Sequence, residues 1–267
     1  MRRRPDTNMK ARPPATAVDS LQRGLEALRC FQPGEDMLTS AELATRLDLP
    51  RNTTLRLLLT LESHGFLRRL PGSDEFSLDV ECLFLGQALL GGSLLVRKAR
   101  PVLQTLANRF AVHTMLCVPE RGQMLALLHA GSVAAQPLAL SAGLALPVAD
   151  SAPGCAWLWT QQPAVQGEWL ARLRESGPGA GGSSQVARIY QSFHDIEKGG
   201  VCFSQDGWRS GVAMAATPLV MRDGSTAAIA CLRTGLEAGM ASFDLECSAA
   251  LRAASQEIRD AIQRVHA

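Results

Sequence analysis

The sequence has no CxxC pair, no histidine spacing suited to zinc and no apolar run of membrane-spanning length. Its seven cysteines, Cys30, Cys82, Cys117, Cys155, Cys202, Cys231 and Cys247, are scattered. They read as reduced, mostly buried small hydrophobes of a cytoplasmic protein rather than as a metal site or a disulfide framework. Without a spanning run, no membrane association is expected. Residues 1–17, MRRRPDTNMKARPPATA, carry charge with no apolar core behind it, which fits a disordered basic arm and not a signal peptide. Net charge is +2 and decides little as a total. Its distribution says more, because twelve Lys and Arg stand against eight Asp and Glu through Arg69. The excess is modest, so a specific fold has to carry any nucleic-acid argument. Nothing calls for a metal or another cofactor, and 267 residues suit one small and one medium domain.

What is present is clearest in MLTSAELATRLDLPRNTTLRLLLTLESHGFLRRL, Met37 to Leu70. Thr39 or Ser40 can cap a first helix whose apolar positions Leu43, Ala44 and Leu47 recur at helical spacing. Asp48-Leu49-Pro50 supplies a turn, and Pro50 sits where the next helix begins. In that second helix Leu55, Leu58, Leu59 and the stem of Glu62 share one face, leaving Thr53, Arg56, Leu57 and Thr60 opposite. Arg51, Asn52, Thr53 and Thr54 crowd its start, where hydroxyls, an amide and free backbone N–H groups suit phosphates and base edges in a major groove. Arg56 is the candidate base reader, since its planar fork matches the two acceptors of guanine. FLRRL and EFSLD then read as a hairpin around Pro71-Gly72-Ser73, with Arg68 and Arg69 carried onto the phosphate backbone. Cap, turn, helix and hairpin in this order predict a helix-turn-helix with a wing. The competing view is a small helical domain with ordinary solvated arginines.

The chain resembles the IclR family of bacterial transcription regulators over nearly its whole length beyond residue 17. SLQRGLEALRCF is similar to the family's opening helix, GLALPVADSAPGCAWLW to the central motif of its effector domain, and GVAMAATPLVMRDGSTAAIA to its late strand pair. The resemblance implies an α+β fold: an N-terminal winged helix-turn-helix joined by a linker helix to a GAF-like mixed α/β effector-binding domain. On this reading residues 18–80 form the winged helix domain and residues 81–100 a leucine-rich linker helix jointed at Gly91-Gly92. Residues 101–267, opening with a second helix at Pro101, form the effector domain. SGPGAGGSS from Ser176 reads as a loop.

The family's effector cavity carries over to Leu138, Ala152, Pro153, Ser204, Met214, Cys231 and Arg233. Pro153-Gly154 suits a helix start whose free N–H groups favour an anion. Arg233 stands where members for small keto acids tend to have serine, and it can make two parallel bonds to a carboxylate. With Met214, Leu138 and Trp157 or Trp159 nearby, this favours an aromatic acid as effector. A short aliphatic keto or hydroxy acid is the alternative. Arg233 can instead end its strand, facing solvent or pairing with Asp206 or Glu237, and at least one of the two tryptophans is expected to be packing. The expected partners are a pseudo-palindromic operator in double-stranded DNA, the small carboxylate and a second copy of the chain, with tetramers left open. Two readings from other classes stand beside it. One is a thiol-based GAF-like enzyme using Cys117, Cys155 or Cys231; the other is a ligand-gated module that never touches DNA.

Overall fold

The computed structural model describes residues 18–32, 34–175, 182–234 and 240–265, so the basic arm and most of the loop after Ser176 lie outside the described residues. The chain divides between Gly92 and Ser93 into two units.

In the first unit, helices α1 (Asp19–Arg29), α2 (Ser40–Leu47) and α3 (Arg51–Ser63) precede a hairpin of β2 (Leu67–Arg69) and β3 (Glu75–Leu78). Strand β1 (Leu38–Thr39) adds to it in the antiparallel order β1-β3-β2. Local signals fix this arrangement. Thr39 closes a capping box, its hydroxyl accepting the Glu42 N–H at 3.2 Å while the Glu42 carboxylate accepts the Thr39 N–H at 2.9 Å. Asp48 ends α2 in the left-handed region, at φ 53°, a conformation that aspartate tolerates. Pro50 is the cap residue itself, one place before the first helical position, and it offers α3 no side-chain cap. Ala27, Leu38, Leu43, Leu58, Leu67 and Phe76 form the core. Helix α4 (Val80–Gly92) follows the wing and has no buried residue.

The second unit opens with α5 (Leu94–Phe110), capped by Ser93, whose hydroxyl accepts the Val96 N–H at 3.3 Å. The sequence suggests that a helix ends at Arg100 and another begins at Pro101, but one helix runs through. Pro101 has no N–H for the Arg97 carbonyl, yet Val96, Ala99, Leu103, Leu106 and Ala107 bury one continuous face that outweighs this loss. A six-stranded antiparallel sheet follows, ordered β6-β5-β4-β9-β8-β7. Its strands are β4 (His113–Glu120), β5 (Gln123–Gly131), β6 (Ala145–Pro147), β7 (Cys202–Gln205), β8 (Val212–Val220) and β9 (Thr226–Thr234). One face carries α5 and α9 (Met240–Gln263); the other carries α6 (Ala152–Trp159) and α8 (Gly182–Gly199), with α7 (Pro163–Glu175) against α8. The fold is thus α+β, a helix-turn-helix unit and a mixed α/β unit.

Strand alternation decides which residues see which helices. Met115, Cys117, Met214, Ala216, Ala228, Ala230 and Leu232 belong to the core under α6, so their neighbours in sequence face α5 and α9. The Thr114 hydroxyl, donating to the Leu103 carbonyl of α5 at 3.0 Å, marks that second face. A bulge at Leu116/Cys117 shifts the β4–β5 pairing, so that Ala126 pairs with Cys117 but His129 with Met115 on the α6 side. Among the described residues no single helix is long and apolar enough to cross a membrane.

Candidate DNA interface and effector chamber

Helix α3 turns Thr54 and Leu58 inward and leaves Asn52, Arg56, Leu59 and Ser63 on one outward stripe, with Thr60 beside it. Arg51, Asn52 and Arg56 are exposed and make no side-chain hydrogen bond or ion pair among the described residues. Thr53 is half-buried, and the Thr60 hydroxyl donates back to the Arg56 carbonyl at 2.9 Å. Because Pro50 provides no side-chain cap, the first N–H groups of α3 point outward unclaimed, a ready site for phosphate oxygens.

Two sequence expectations change here. Thr54 is fully buried and its hydroxyl donates to the Pro50 carbonyl at 3.3 Å, so it seats the helix start and does not reach DNA. Leu59 is 42% exposed on the outer stripe, not on the core face. Counting 100° per residue from Leu58 would have placed it there, and an apolar side chain so presented suits a thymine methyl.

On the wing Arg68 and Arg69 are both exposed on β2. Arg68 Nε donates to the Ser77 hydroxyl at 3.0 Å, which leaves its terminal nitrogens for phosphate. Arg69 is held harder: its Nε donates to the Ser73 carbonyl at 2.9 Å, and its guanidinium lies 3.9 Å from Asp74. Arg68 therefore has the freer terminal nitrogens of the two.

In the second unit Ser204, Met214 and Leu232 lie side by side across three strands, by the pairings Ser204 with Met214 and Met214 with Leu232. All three sit on the α6 face: the Ser204 hydroxyl accepts the Ala152 N–H at 3.1 Å, and Met214 and Leu232 belong to the core there. Leu138, Leu140 and Trp208 pack over the same core, above a floor that includes Ala216, Ala228 and Ala230. These side chains make one apolar face of the sheet, at which Ser204 and the Ala152 N–H form a polar pair.

Cys231 and Arg233 do not belong to it. Cys231 hydrogen-bonds Cys247 of α9, and Arg233 pairs with Ala213 one place beyond the Met214 register, so both face the α5 and α9 side. The β9 positions on the α6-side face are Ala230 and Leu232. A one-residue slip on a strand moves a side chain to the other face, and alternation within ACLRT was the signal that could have caught it.

The start of α6 also differs from expectation. Ala152 N–H goes to Ser204, Gly154 N–H to the Ser151 hydroxyl at 3.2 Å, Cys155 N–H to the Ser151 carbonyl at 3.0 Å, and Pro153 has none. No N–H there waits for an anion. Gly154 is needed for packing, because a Cβ would overlap the Val148 carbonyl, and Pro153 is buried beside it. Trp157 meets Trp169 of α7 edge-on, ring centres 6.4 Å apart, and so acts in packing.

Residues 20–71 match the IclR helix-turn-helix domain. Over 94% of this chain and 94% of its own length, the IclR family transcriptional regulator from Brucella abortus superposes with a TM-score of 0.85 at 28% identity. The chain carries an IclR-type helix-turn-helix domain and is similar along its length to IclR-family regulators. In sequence it is 29% identical over 207 residues to the HTH-type transcriptional regulator TsaQ1/TsaQ2 of Comamonas testosteroni, covering 76% of this chain and 74% of the relative. It is 28% identical over 148 residues to the transcriptional repressor IclR of Escherichia coli K12, covering 54% of each. An IclR homologue from Microbacterium hydrocarbonoxydans, solved with 4-hydroxybenzoate, shares the fold at a TM-score of 0.70 and 22% identity, over 92% of this chain and 99% of that one.

Four of the buried cysteines are held as neutral thiols. Burial pushes Cys117 up to about 12 and Cys155 up to about 11, and Cys231 and Cys202 are raised well above the ordinary thiol value. None of the four supplies a thiolate near neutral pH. Among the described residues no three His, Cys, Asp or Glu side chains converge as a metal site would require.

Proposed function

We propose that this IclR-type regulator binds a pseudo-palindromic operator as a homodimer and that a small carboxylate, an aromatic acid, controls that binding. The observation that carries the effector reading is the apolar α6-side face of the sheet with one polar pair, Ser204 and the Ala152 N–H, on it. An aromatic ring matches the apolar character of Leu138, Leu140 and Trp208, which pack against this face, and a carboxylate can accept from the Ser204 hydroxyl. The Microbacterium homologue with the same fold holds an acid of this class. Regulation follows if the acid favours one of two arrangements and the segment around Gly91-Gly92 passes the change to the paired winged helices.

The homodimer is supported by α4, where Val80, Leu83, Phe84, Leu85 and Leu89 are all exposed, Val80 at 71% and Phe84 at 70%. An apolar helix of this kind suits burial against the same helix of a second copy, and two recognition helices give the affinity that one lacks.

The test is thermal stability of the full chain against benzoate, 4-hydroxybenzoate, pyruvate and glyoxylate, because a ligand of the native state raises the melting temperature by mass action. The aromatic acids should raise it, and Ser204→Ala should weaken that binding about tenfold or more, the worth of one hydrogen bond to a charged group. Shifts with pyruvate and glyoxylate but not with the aromatic acids would move the reading to a short aliphatic acid.

A further inference from the structure

Helix α5 begins with a basic cluster that the packing of the second unit does not use. Arg97 and Arg100 are exposed and Lys98 is half-buried, and none of the three makes an ion pair or side-chain hydrogen bond among the described residues. Val96, Ala99 and Leu103 turn into the core, which leaves Arg97, Arg100 and Gln104 on one flank, three and four residues apart. Gln104 donates from that flank to the Gly131 carbonyl at 3.1 Å, whereas Arg100 and Arg97, one and two turns earlier, are left to solvent. The sequence supplies no counter-charge nearby. From Cys82 to Pro119 there is no Asp or Glu, against four basic residues, Arg97, Lys98, Arg100 and Arg109.

Local stability argues against this placement. The partial positive charge at a helix start disfavours cations there, and two guanidiniums three residues apart on one flank repel each other. Other helices keep to the rule: α1, α2 and α7 carry arginine in the last turn, and so does α5 itself with Arg109. Among the described helices only α3 shares the exception of a basic residue in the first turn, with Arg51 at its first position. That is the second helix of the helix-turn-helix, the one offered to DNA. Charge kept where it costs stability is expected where it serves binding.

We infer that Arg97 and Arg100, with Lys98 beside them, bind DNA phosphates, a second and sequence-independent contact added to that of the winged helix unit. Exposed guanidiniums with no acidic neighbour pair with phosphate oxygens and release counterions as they do so. The tether favours DNA as the partner. Along the chain the wing ends at Leu78, and α4, 13 residues or about 20 Å long, accounts for most of what separates it from α5. A cluster held so close to a DNA-bound unit meets the duplex at high effective concentration, an advantage that an acidic protein surface lacks. The inference rests on the DNA-binding reading of the first unit.

Fluorescence anisotropy of the full chain on a mixed-sequence duplex of about 40 base pairs, at several salt concentrations, tests it. Each phosphate contact contributes about 0.9 to the slope of log affinity against log salt, so Arg97→Gln/Arg100→Gln should lower that slope by about two per chain bound. Arg97→Lys/Arg100→Lys, which keeps both charges, should retain most of the wild-type slope. A charge-matched control, Arg222→Gln/Arg264→Gln, removes two exposed arginines elsewhere in the second unit and should leave the slope unchanged. Melting curves establish that each variant is folded. An unchanged slope in the Arg97 and Arg100 glutamine variant, an equal drop in the control, or a slope lost in the lysine variant would overturn the inference and leave the winged helix reading standing. A wild-type chain with no salt-dependent affinity for the duplex would remove that reading and the inference with it.

Discussion

Replacing Arg56 by alanine separates reading of bases from attachment to the backbone. Arg56 is exposed on the outer stripe of α3 and has no side-chain partner among the described residues, so the substitution leaves the fold intact. A bidentate arginine–guanine pair is worth roughly 1–3 kcal/mol of discrimination, about 5- to 150-fold per half-site. Two symmetric half-sites roughly double the free-energy loss. Arg68→Ala removes a phosphate contact instead, so it should weaken all duplexes alike and reduce the salt slope by about one. Fluorescence anisotropy on an operator and a scrambled duplex, at several salt concentrations, reads both effects. Equal losses for Arg56→Ala on the two duplexes would refute its role as a base reader. Unchanged affinities in both variants would remove the interface altogether.

Thr54→Ala should lower the stability of the winged helix unit by about 1–2 kcal/mol through a lost buried methyl and hydroxyl, with the operator preference of the folded fraction unchanged; denaturant melts and anisotropy check the two halves. Gly154→Ala should cost about 1–3 kcal/mol by forcing α6 away from the Val148 backbone, seen as a lower melting temperature. At pH 7.5 Cys117 and Cys155 lie far below the pH at which they ionise, so they should resist a thiol reagent until the protein unfolds, whereas half-buried Cys30 and Cys82 should react first. Rapid labelling of Cys117 in the folded protein would contradict its burial.

The first unit was legible because its determinants are local. The Thr39–Glu42 box, the left-handed Asp48 and the 3.6-residue period each specify structure within a few residues, and the errors, Thr54 and Leu59, were ones of helical phase. The second unit depends on which face a strand residue takes, and that is set by pairings distant in sequence. Cys231 and Arg233 were misplaced by one residue, the smallest error alternation permits and enough to move the proposed anchor to the other face of the sheet. Pro101 misled because a local rule was overridden by the buried face of α5, and α7 went unread because Pro163 and Gly167 interrupt its apolar positions Val165, Trp169, Leu170 and Leu173. The hydrogen bond between His113 and His129 was invisible for a related reason: the β4–β5 bulge brings two isolated histidines together.

The central claim is that an acid bound beside Ser204 controls operator binding, and operator affinity measured with and without benzoate or 4-hydroxybenzoate, in the wild type and in Ser204→Ala, tests it most directly. The account predicts a shift of at least about fivefold in the wild type, the lower end of allosteric coupling, and little or none in a variant whose ligand-free affinity is unchanged. An equal shift in both proteins, or a melting-temperature rise with no change in operator affinity, would contradict it.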